Sequence, residues 1–232
     1  MLITKEKIFS SRVTPKIITI DGPSASGKGT LAGNVARALD WHILDSGAIY
    51  RAIGLFAARW GLMTDEDKLL SKLKDFDMYF EGSSCFVGEE DISEKIRNEE
   101  VGKLASNISA FSSIREEVLE LQRGFAKPPG LIADGRDMGT VVFPKADLKI
   151  FLEASANSRA ERRYNELKNK GLDVSLPLLL EQMVERDERD RGRSLAPLIP
   201  AEDAVLIDTS LLSASEVTAS VLRSVRGRGW SE

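Results

Sequence analysis

The sequence contains one cysteine, Cys85, and one histidine, His42, among its 232 residues. A single thiol can form neither an intramolecular disulfide nor a zinc cluster of several thiolates, and such cysteine usage is typical of a reducing compartment. A Ser-His catalytic triad is also excluded unless His42 itself takes part. Because His42 lies in a predicted strand, a packed or surface role is the simpler interpretation of this residue.

Long apolar runs and an excess of basic residues are also absent. No stretch approaches the roughly 20 apolar residues that a membrane span needs, and residues 1–14 have no continuous apolar segment of the kind found in secretory signals. The chain has 32 Lys and Arg against 36 Asp and Glu, a formal net charge of -4, which argues against a dedicated nucleic-acid binder. We therefore expect a cytoplasmic protein without membrane or nucleic-acid partners, in which local clusters of Lys and Arg attract any anionic ligand.

The remaining composition, 42% apolar and 29% charged, is that of an ordinary globular protein. Short apolar runs alternate with stretches of helical period, which predicts a parallel sheet flanked by helices in an α/β fold. Four of the five predicted strands end in aspartate, and ligands of open α/β sheets bind outside the carboxyl ends of the strands. The predicted strands are Lys16–Asp21, His42–Asp45, Leu131–Asp134, Leu148–Glu153 and Val205–Asp208.

Helix starts are predicted from capping patterns. Ser113 with Glu116, and Ser213 with Glu216, have capping-box spacing ahead of apolar residues at helical period. A further helix is predicted to open at Asn157 or Ser158 and to close at Gly171, and the next to open at Ser175.

One stretch, residues 76–87, breaks the alternation. Met78–Phe80 and Cys85–Val87 are predicted strands joined by a turn at Gly82–Ser84, and together they form a small antiparallel insertion. Such an insertion either closes over a substrate or merely extends the fold, and the sequence alone leaves both possibilities open.

A glycine-rich segment follows the first predicted strand and precedes a helix. Its G-x-x-x-x-G-K arrangement allows successive backbone N–H groups to converge on phosphate oxygens, while the lysine reaches the β- and γ-phosphates. The sequence therefore predicts an ATP-binding P-loop formed by Gly22, Pro23, Ser24, Ala25, Ser26, Gly27, Lys28, Gly29 and Thr30.

The P-loop departs from the general motif at Gly29, which stands where a Mg²⁺-ligating Ser or Thr is usual. The hydroxyl is displaced to Thr30, which leaves open whether the protein contacts Mg²⁺ directly or through water. The same glycine counts against a regulatory GTPase or ATPase switch. A nucleic-acid-binding P-loop protein would need a basic surface and further motor motifs, which are missing.

Three further segments contain candidate ligands for a second phosphate-bearing substrate. Ser46, at a helix start, with Arg51 one to two turns later is able to hold a phosphate, although a plain helix cap and a surface arginine would look alike. After the third strand, Asp134 is placed to orient Mg²⁺ or its waters, Arg136 to bind phosphate and Asp137 to accept from a base.

The third segment, residues 185–193, has alternating charges. Such a pattern usually marks a solvated helix end. In a chain with a P-loop, four arginines within eight residues are also suited to stabilise the charge that phosphoryl transfer spreads over the moving group.

Taken together, the runs ITIDGPSASGKGT, WHILDSGAIYR, GLIADGRDMGTVVFP and ERDERDRGR resemble the bacterial cytidylate kinases in order and spacing. The resemblance covers residues 17–208. It implies a three-layer α/β/α P-loop fold with a five-stranded parallel sheet, in a kinase domain at about residues 15–226 after an N-terminal extension. It also implies an acceptor-closing insertion at about 63–110, a lid over ATP at about 168–176, and phosphorylation of CMP and dCMP by Mg²⁺-ATP. Because such kinases are commonly monomers, the resemblance also implies a monomer.

Site residues are implied only where this chain matches the family's motifs. Lys28, Arg136, Arg186 and Arg193 are the implied catalytic residues, and Arg162 is a further candidate near the ATP phosphates. The CMP contacts implied are Ser46, Arg51, Arg136 and Arg193 for the phosphate, Ser106, Arg115 and Asp137 for the base, and Arg186 and Asp190 for the ribose. A kinase for another acceptor, such as UMP, AMP or a small alcohol, is the alternative.

Overall fold

The computed structural model describes residues 14–81 and 84–230, and its centre is a sheet of five parallel strands. The strands are β1 (Lys16–Asp21), β2 (His42–Asp45), β6 (Gly130–Gly135), β7 (Leu148–Glu153) and β8 (Val205–Asp208), in the order β2-β6-β1-β7-β8. All five predicted strands are confirmed, and only β6 is longer than predicted, by one residue at each end. The predicted extension, apart from Thr14, and the first two residues of the predicted turn at Gly82–Ser84 lie outside the described residues, and Ser84 belongs to a strand.

Helices cover both faces of the sheet. Helices α1 (Lys28–Leu39) and α8 (Ala214–Arg226) pack on one face, and α2 (Ser46–Arg59), α3 (Glu66–Leu73), α4 (Glu99–Ile108) and α5 (Ser112–Arg123) lie on the other. Two apolar clusters fill the interfaces. The first includes Ile18, Ile20, Leu31, Val35, Val217 and Val221, and the second includes Leu44, Ile49, Ile53, Ile108, Ile114 and Leu131. The predicted three-layer α/β/α architecture is therefore confirmed.

The two remaining helices, α6 (Ala156–Asn169) and α7 (Leu176–Arg191), pack against each other after β7. Ser155 caps α6 by accepting from the Ser158 N–H at 3.1 Å, and the helix starts at Ala156, so the predicted start at Asn157 or Ser158 is one to two residues late. The predicted end at Gly171 is confirmed by its positive φ of 75° beside the last turn, and Ser175 precedes α7 as predicted.

One of the two predicted capping boxes is wrong. Ser213 and Glu216 form the box at the start of α8 as predicted. Helix α5, in contrast, begins at Ser112, and the Ser113 hydroxyl donates to Glu66 Oε1 at 2.7 Å instead of capping. The Ser113 hydroxyl therefore makes a tertiary contact with α3 and does not cap α5, contrary to the prediction from the local spacing.

The predicted antiparallel insertion is present as a second, three-stranded sheet. It consists of β3 (Met78–Glu81), β4 (Ser84–Val87) and β5 (Glu90–Asp91), the last too short to be predicted. Cys85 of β4 and Ile92, which follows β5, pack against Ala48 and Ala52 of α2. The insertion thus rests on the helix that begins at Ser46.

Strand register brings the predicted aspartates to one edge of the main sheet. Asp45 pairs with Asp134, and Asp21 pairs with Gly135, at the carboxyl ends of three neighbouring strands. Over the described residues, no helix has the length and apolar character needed to cross a membrane.

Candidate active site

The loop from β1 to α1 has the backbone geometry of a phosphate cradle. Gly22 has a φ of 145°, and a Cβ there would lie 2.3 Å from the Leu152 carbonyl oxygen, so only glycine fits between β1 and β7. Gly27, with a φ of 94°, then turns the chain into α1, which begins at Lys28. The free N–H groups of this helix start carry partial positive charge into the cleft above the sheet.

Lys28 is buried at the base of this loop and donates to the Pro23 carbonyl oxygen at 2.7 Å. Burial, followed by the neighbouring charge of Arg136, lowers the pKa of Lys28 to about 7. The same environment acts in the opposite direction on Asp134, where burial raises the pKa of the carboxyl to about 7 against the influence of Lys28. The protonation state of Lys28 therefore responds to an anion that enters the cleft, and that of Asp134 responds to a cation.

Two adjoining cavities open over the carboxyl edge of the sheet. The large cleft has a volume of about 760 Å³ and lies between the P-loop and helices α4, α6 and α7. The small pocket, of about 60 Å³, is lined by Ser46, Tyr50, Arg115, Arg136, Asp137, Asp190 and Arg193, among others. Arg51, Ser106 and Arg186 line both cavities, so ligands in the two would meet at these side chains.

Asp190 of α7 organises three arginines at the wall of the small pocket. Its carboxylate accepts from Arg136 Nε at 3.1 Å and from Arg193 Nη2, and Arg186 Nε lies 3.9 Å away. Burial alone would raise the pKa of Asp190, but these positive charges hold it below its usual value. Asp190 thus holds Arg136 and Arg193 by hydrogen bonds and keeps the positive charge of Arg186 close to them.

Within the described ranges, two of these arginines each have an unused hydrogen-bond donor. The Nε atoms of Arg186 and Arg193 are buried and have no partner within the described part of the chain. Burial, reinforced by the Arg136 charge, lowers the pKa of Arg186 to about 10. A buried, incompletely paired guanidinium favours a nearby anion.

Asp137 lies at the other end of the small pocket and forms an ion pair with Arg115 of α5. Arg115 also donates to the Ser109 carbonyl oxygen at 3.2 Å and sits over the Tyr50 ring. Burial raises the pKa of Asp137 although Arg115 opposes that shift. The pocket therefore presents an acidic and a basic group side by side.

The turn that contains Asp137 is anchored from β1. Asp21, the last residue of that strand, accepts from the backbone N–H groups of Met138 and Gly139, each at 2.8 Å. The sequence indicated that strand-end aspartates face a site, but it did not indicate that Asp21 would hold the neighbouring turn.

The predicted residues at the cavity junction already have partners in the protein. Arg51 donates to the carbonyl oxygens of Ile96 and Asn98 at 2.7 and 2.9 Å, and Ser106 accepts from Arg189 Nη1 at 3.1 Å. The contact with Arg189 was not predicted, because it joins α4 to α7 across the large cleft.

Arg162 and Arg159 of α6 take different positions near the P-loop. Arg162, the further candidate near the ATP phosphates, lines the large cleft and donates to the Thr209 hydroxyl at 3.1 Å. Arg159, which was not predicted, is buried, pairs with Asp187 of α7 and donates to the Ser24 carbonyl oxygen at 3.1 Å. Only the fold reveals that this arginine ties the P-loop to α7, since its helical spacing is that of an ordinary core-facing residue.

The residues beside the P-loop fit a divalent cation held mainly by phosphates and water. A Cβ at Gly29 would lie 3.5 Å from Asp134 Oδ2, so the absent side chain keeps this carboxylate open to the loop, and Thr30 lines the same cleft. No group of three or more His, Cys, Asp or Glu side chains in the described ranges is arranged to hold a metal. Mg²⁺ typically binds through one or two carboxylates with substrate phosphates and water, which matches this sparse set.

Comparison with known proteins identifies one family. Residues 18–227 match the family model described as cytidylate kinase. The chain is 51% identical to a cytidylate kinase of Colwellia psychrerythraea, over 91% of this chain and 96% of that protein. It is 52% identical to a cytidylate kinase of Methylococcus capsulatus over 92% and 98% of the two chains, and 48% identical to that of Pseudomonas syringae over 94% and 98%.

Proposed function

Because the chain belongs to the cytidylate kinase family and is a phosphotransferase, we propose that it transfers the γ-phosphoryl group of ATP to the phosphate of CMP and dCMP. The observation that carries this proposal is the junction of the large cleft, which contains the P-loop, with the small pocket at Arg186. ATP at the P-loop and CMP at the junction, extending into the small pocket, would bring the two phosphates together there. Because the small pocket has a volume of only about 60 Å³, it must widen when CMP binds.

We assign ATP to the P-loop, residues 22–30, with Arg162 beside its phosphates. The assigned CMP contacts are Ser46, Arg51, Arg136 and Arg193 for the phosphate, Ser106, Arg115 and Asp137 for cytosine, and Arg186 and Asp190 for the ribose. A CMP phosphate oxygen is already a nucleophile, so the protein supplies position and positive charge rather than a strong base. Mg²⁺, held beside Thr30 and Asp134, would neutralise charge on the ATP phosphates.

Base preference follows from the donors and acceptors around Asp137 and Arg115. Cytosine has an amino donor next to the N3 and O2 acceptors, whereas uracil has a carbonyl and an N3 donor. Asp137 facing the amino group, with Arg115 and Ser106 facing the acceptors, therefore favours cytosine. With uracil, buried groups would lose their partners at roughly 1–3 kcal/mol each.

We expect wild-type enzyme with Mg²⁺-ATP to turn over CMP and dCMP far faster than UMP, AMP or GMP, each supplied separately and followed by ADP production.

Asp137→Ala should lower the ratio of kcat/KM for CMP to kcat/KM for UMP by about 10-fold or more, because the group that selects the amino donor is gone. Asp75→Ala, at an exposed position, is the matched control. A CMP preference unchanged in Asp137→Ala would disprove the base assignment, and wild-type turnover of a different acceptor would disprove the proposed substrate.

ATP binding should depend on pH because of Lys28. Its pKa is about 7 in the free protein, and the ATP phosphates favour the protonated amine, so binding above pH 7 requires uptake of a proton. ATP affinity should therefore level off below pH 7 and fall by up to about tenfold per pH unit above it. Calorimetry of ATP binding at pH 8 in buffers of different ionisation enthalpy measures the uptake. Equal proton uptake by wild type and Lys28→Met would show that the proton taken up on ATP binding does not go to Lys28.

A further inference from the structure

Gln122 is a buried polar residue that the proposed mechanism does not yet use. It lies on α5, only 2% exposed, within an otherwise apolar face that includes Ile114 and Val118. Its side-chain Nε2 donates to Ser46 Oγ at 2.8 Å, across 76 positions of sequence. Burying an amide is costly unless its hydrogen bonds are satisfied, so this contact defines the position of the side chain.

Ser46, which accepts this hydrogen bond, lies at the edge of the small pocket. It is the first residue of α2, itself 4% exposed, and it lines the small pocket with Arg136 and Arg193. The helix start is capped by the Asp45 side chain, which accepts from the Ala48 N–H at 3.0 Å, so the Ser46 hydroxyl is not needed as a cap. Its role must therefore be sought in the pocket.

The hydrogen-bonding capacity of the two groups decides the direction of the hydroxyl proton. An amide NH₂ donates and cannot accept, whereas a serine hydroxyl has one proton to donate and two lone pairs. When Ser46 Oγ accepts from Gln122, its own proton remains available, and the described residues supply no acceptor for it. The small pocket, with its arginines, is where an anionic acceptor would lie.

We propose that Gln122 is a positioning residue that holds the Ser46 hydroxyl with its proton directed at the phosphate of the acceptor nucleotide. The inference rests on the proposed function, since it assigns a phosphate to the small pocket. Gln122 touches no substrate itself. A free serine hydroxyl can donate or accept a hydrogen bond. Because Gln122 donates to it, the Ser46 hydroxyl is left as a donor toward the pocket, which suits an anion and not a cation.

The test is a double-mutant cycle with Gln122→Met and Ser46→Ala, with kcat/KM for CMP as the main readout. Each single variant should lose about tenfold, and the double variant should lose no more than either, because both changes remove the same hydrogen bond to the phosphate. The KM for ATP should stay within about twofold of wild type in all three variants. Losses that multiply in the double variant, or an equal rise in the KM for ATP, would show that Gln122 only supports the fold.

Gln182→Met is the matched control, because this glutamine lines the large cleft and does not contact Ser46. Its effect, whatever its size, should multiply with that of Ser46→Ala. If Gln122→Met does not fold, Gln122→Glu retains the shape and reverses the chemistry, since a carboxylate only accepts and draws the Ser46 proton away from the pocket. Wild-type kcat/KM for CMP in Gln122→Glu would then overturn the inference.

The failure of this inference and that of the proposed function can be distinguished in the same experiment. Wild-type turnover with CMP is measured first, and its absence would refute the proposed function. Turnover with CMP combined with independent effects of Gln122 and Ser46 would refute only the inference.

Discussion

Lys28→Met should lower kcat for CMP phosphorylation by about 10³-fold while leaving the Kd for CMP within about twofold. The reason is location: Lys28 lies under the P-loop, whereas the assigned CMP contacts line the small pocket. A positive group directed at the β- and γ-phosphates acts mainly on charge that develops during transfer, and removing one such donor typically costs 10²–10³-fold or more. Methionine matches the length of the lysine stem and removes only the ammonium group.

Two measurements separate the roles of Lys28. A coupled assay of ADP formation gives kcat, and calorimetry with CMP alone gives the Kd. Lys145→Met, at an exposed position far along the chain from the P-loop, controls for the loss of a positive charge. If Lys28→Met weakened CMP binding as much as it slowed turnover, Lys28 would be a general binding residue rather than a group acting on the transferred phosphoryl.

Most of the fold was predictable because its signals are local. Each strand of the main sheet is a short apolar run with a clear boundary, and the P-loop is a continuous glycine-rich motif directly after the first strand. The convergence of Asp45 and Asp134 also followed, since carboxyl ends of parallel strands meet at one edge.

What escaped prediction depends on pairs of residues that are distant in sequence. Nothing near Ser113 indicates that its hydroxyl will bond Glu66 of α3 rather than cap α5. Gln122 likewise looks like any polar residue near a helix end until α5 is packed beside the start of α2. Local patterns report which face of an element is buried, but they do not report which partner a buried polar group will find.

The arginine-rich segment lies between these two cases. Its arginines suggested phosphate chemistry in a chain with a P-loop, but the charge pattern alone favoured a solvated helix end. The residues of this segment, 185–193, differ in burial in the structure: Asp187 and Asp190 are buried, whereas Arg191 is exposed. One helix therefore contains both a solvated face and the residues that organise the pocket.

Arg186→Ala should lower kcat by about 10³-fold, with smaller changes in the binding of either substrate. Arg186 lines both cavities, approaches the Ser24 hydroxyl of the P-loop at 3.5 Å, and has a buried Nε without a hydrogen-bond partner within residues 14–81 and 84–230. It is thus placed where the moving phosphoryl group would gather negative charge. Arginines at such positions are worth about 10³–10⁵-fold in rate.

Two further variants on α7 sharpen this prediction. Arg186→Lys keeps the charge but loses the planar fork, so a partial recovery of no more than about tenfold over alanine is expected. Arg191→Ala, on the exposed face of the same helix, should match wild type in kcat and in both KM values. Steady-state kinetics with varied ATP and CMP measures all three variants. A full recovery by lysine would mean that Arg186 contributes only positive charge, and an unchanged kcat in Arg186→Ala would remove it from the catalytic residues.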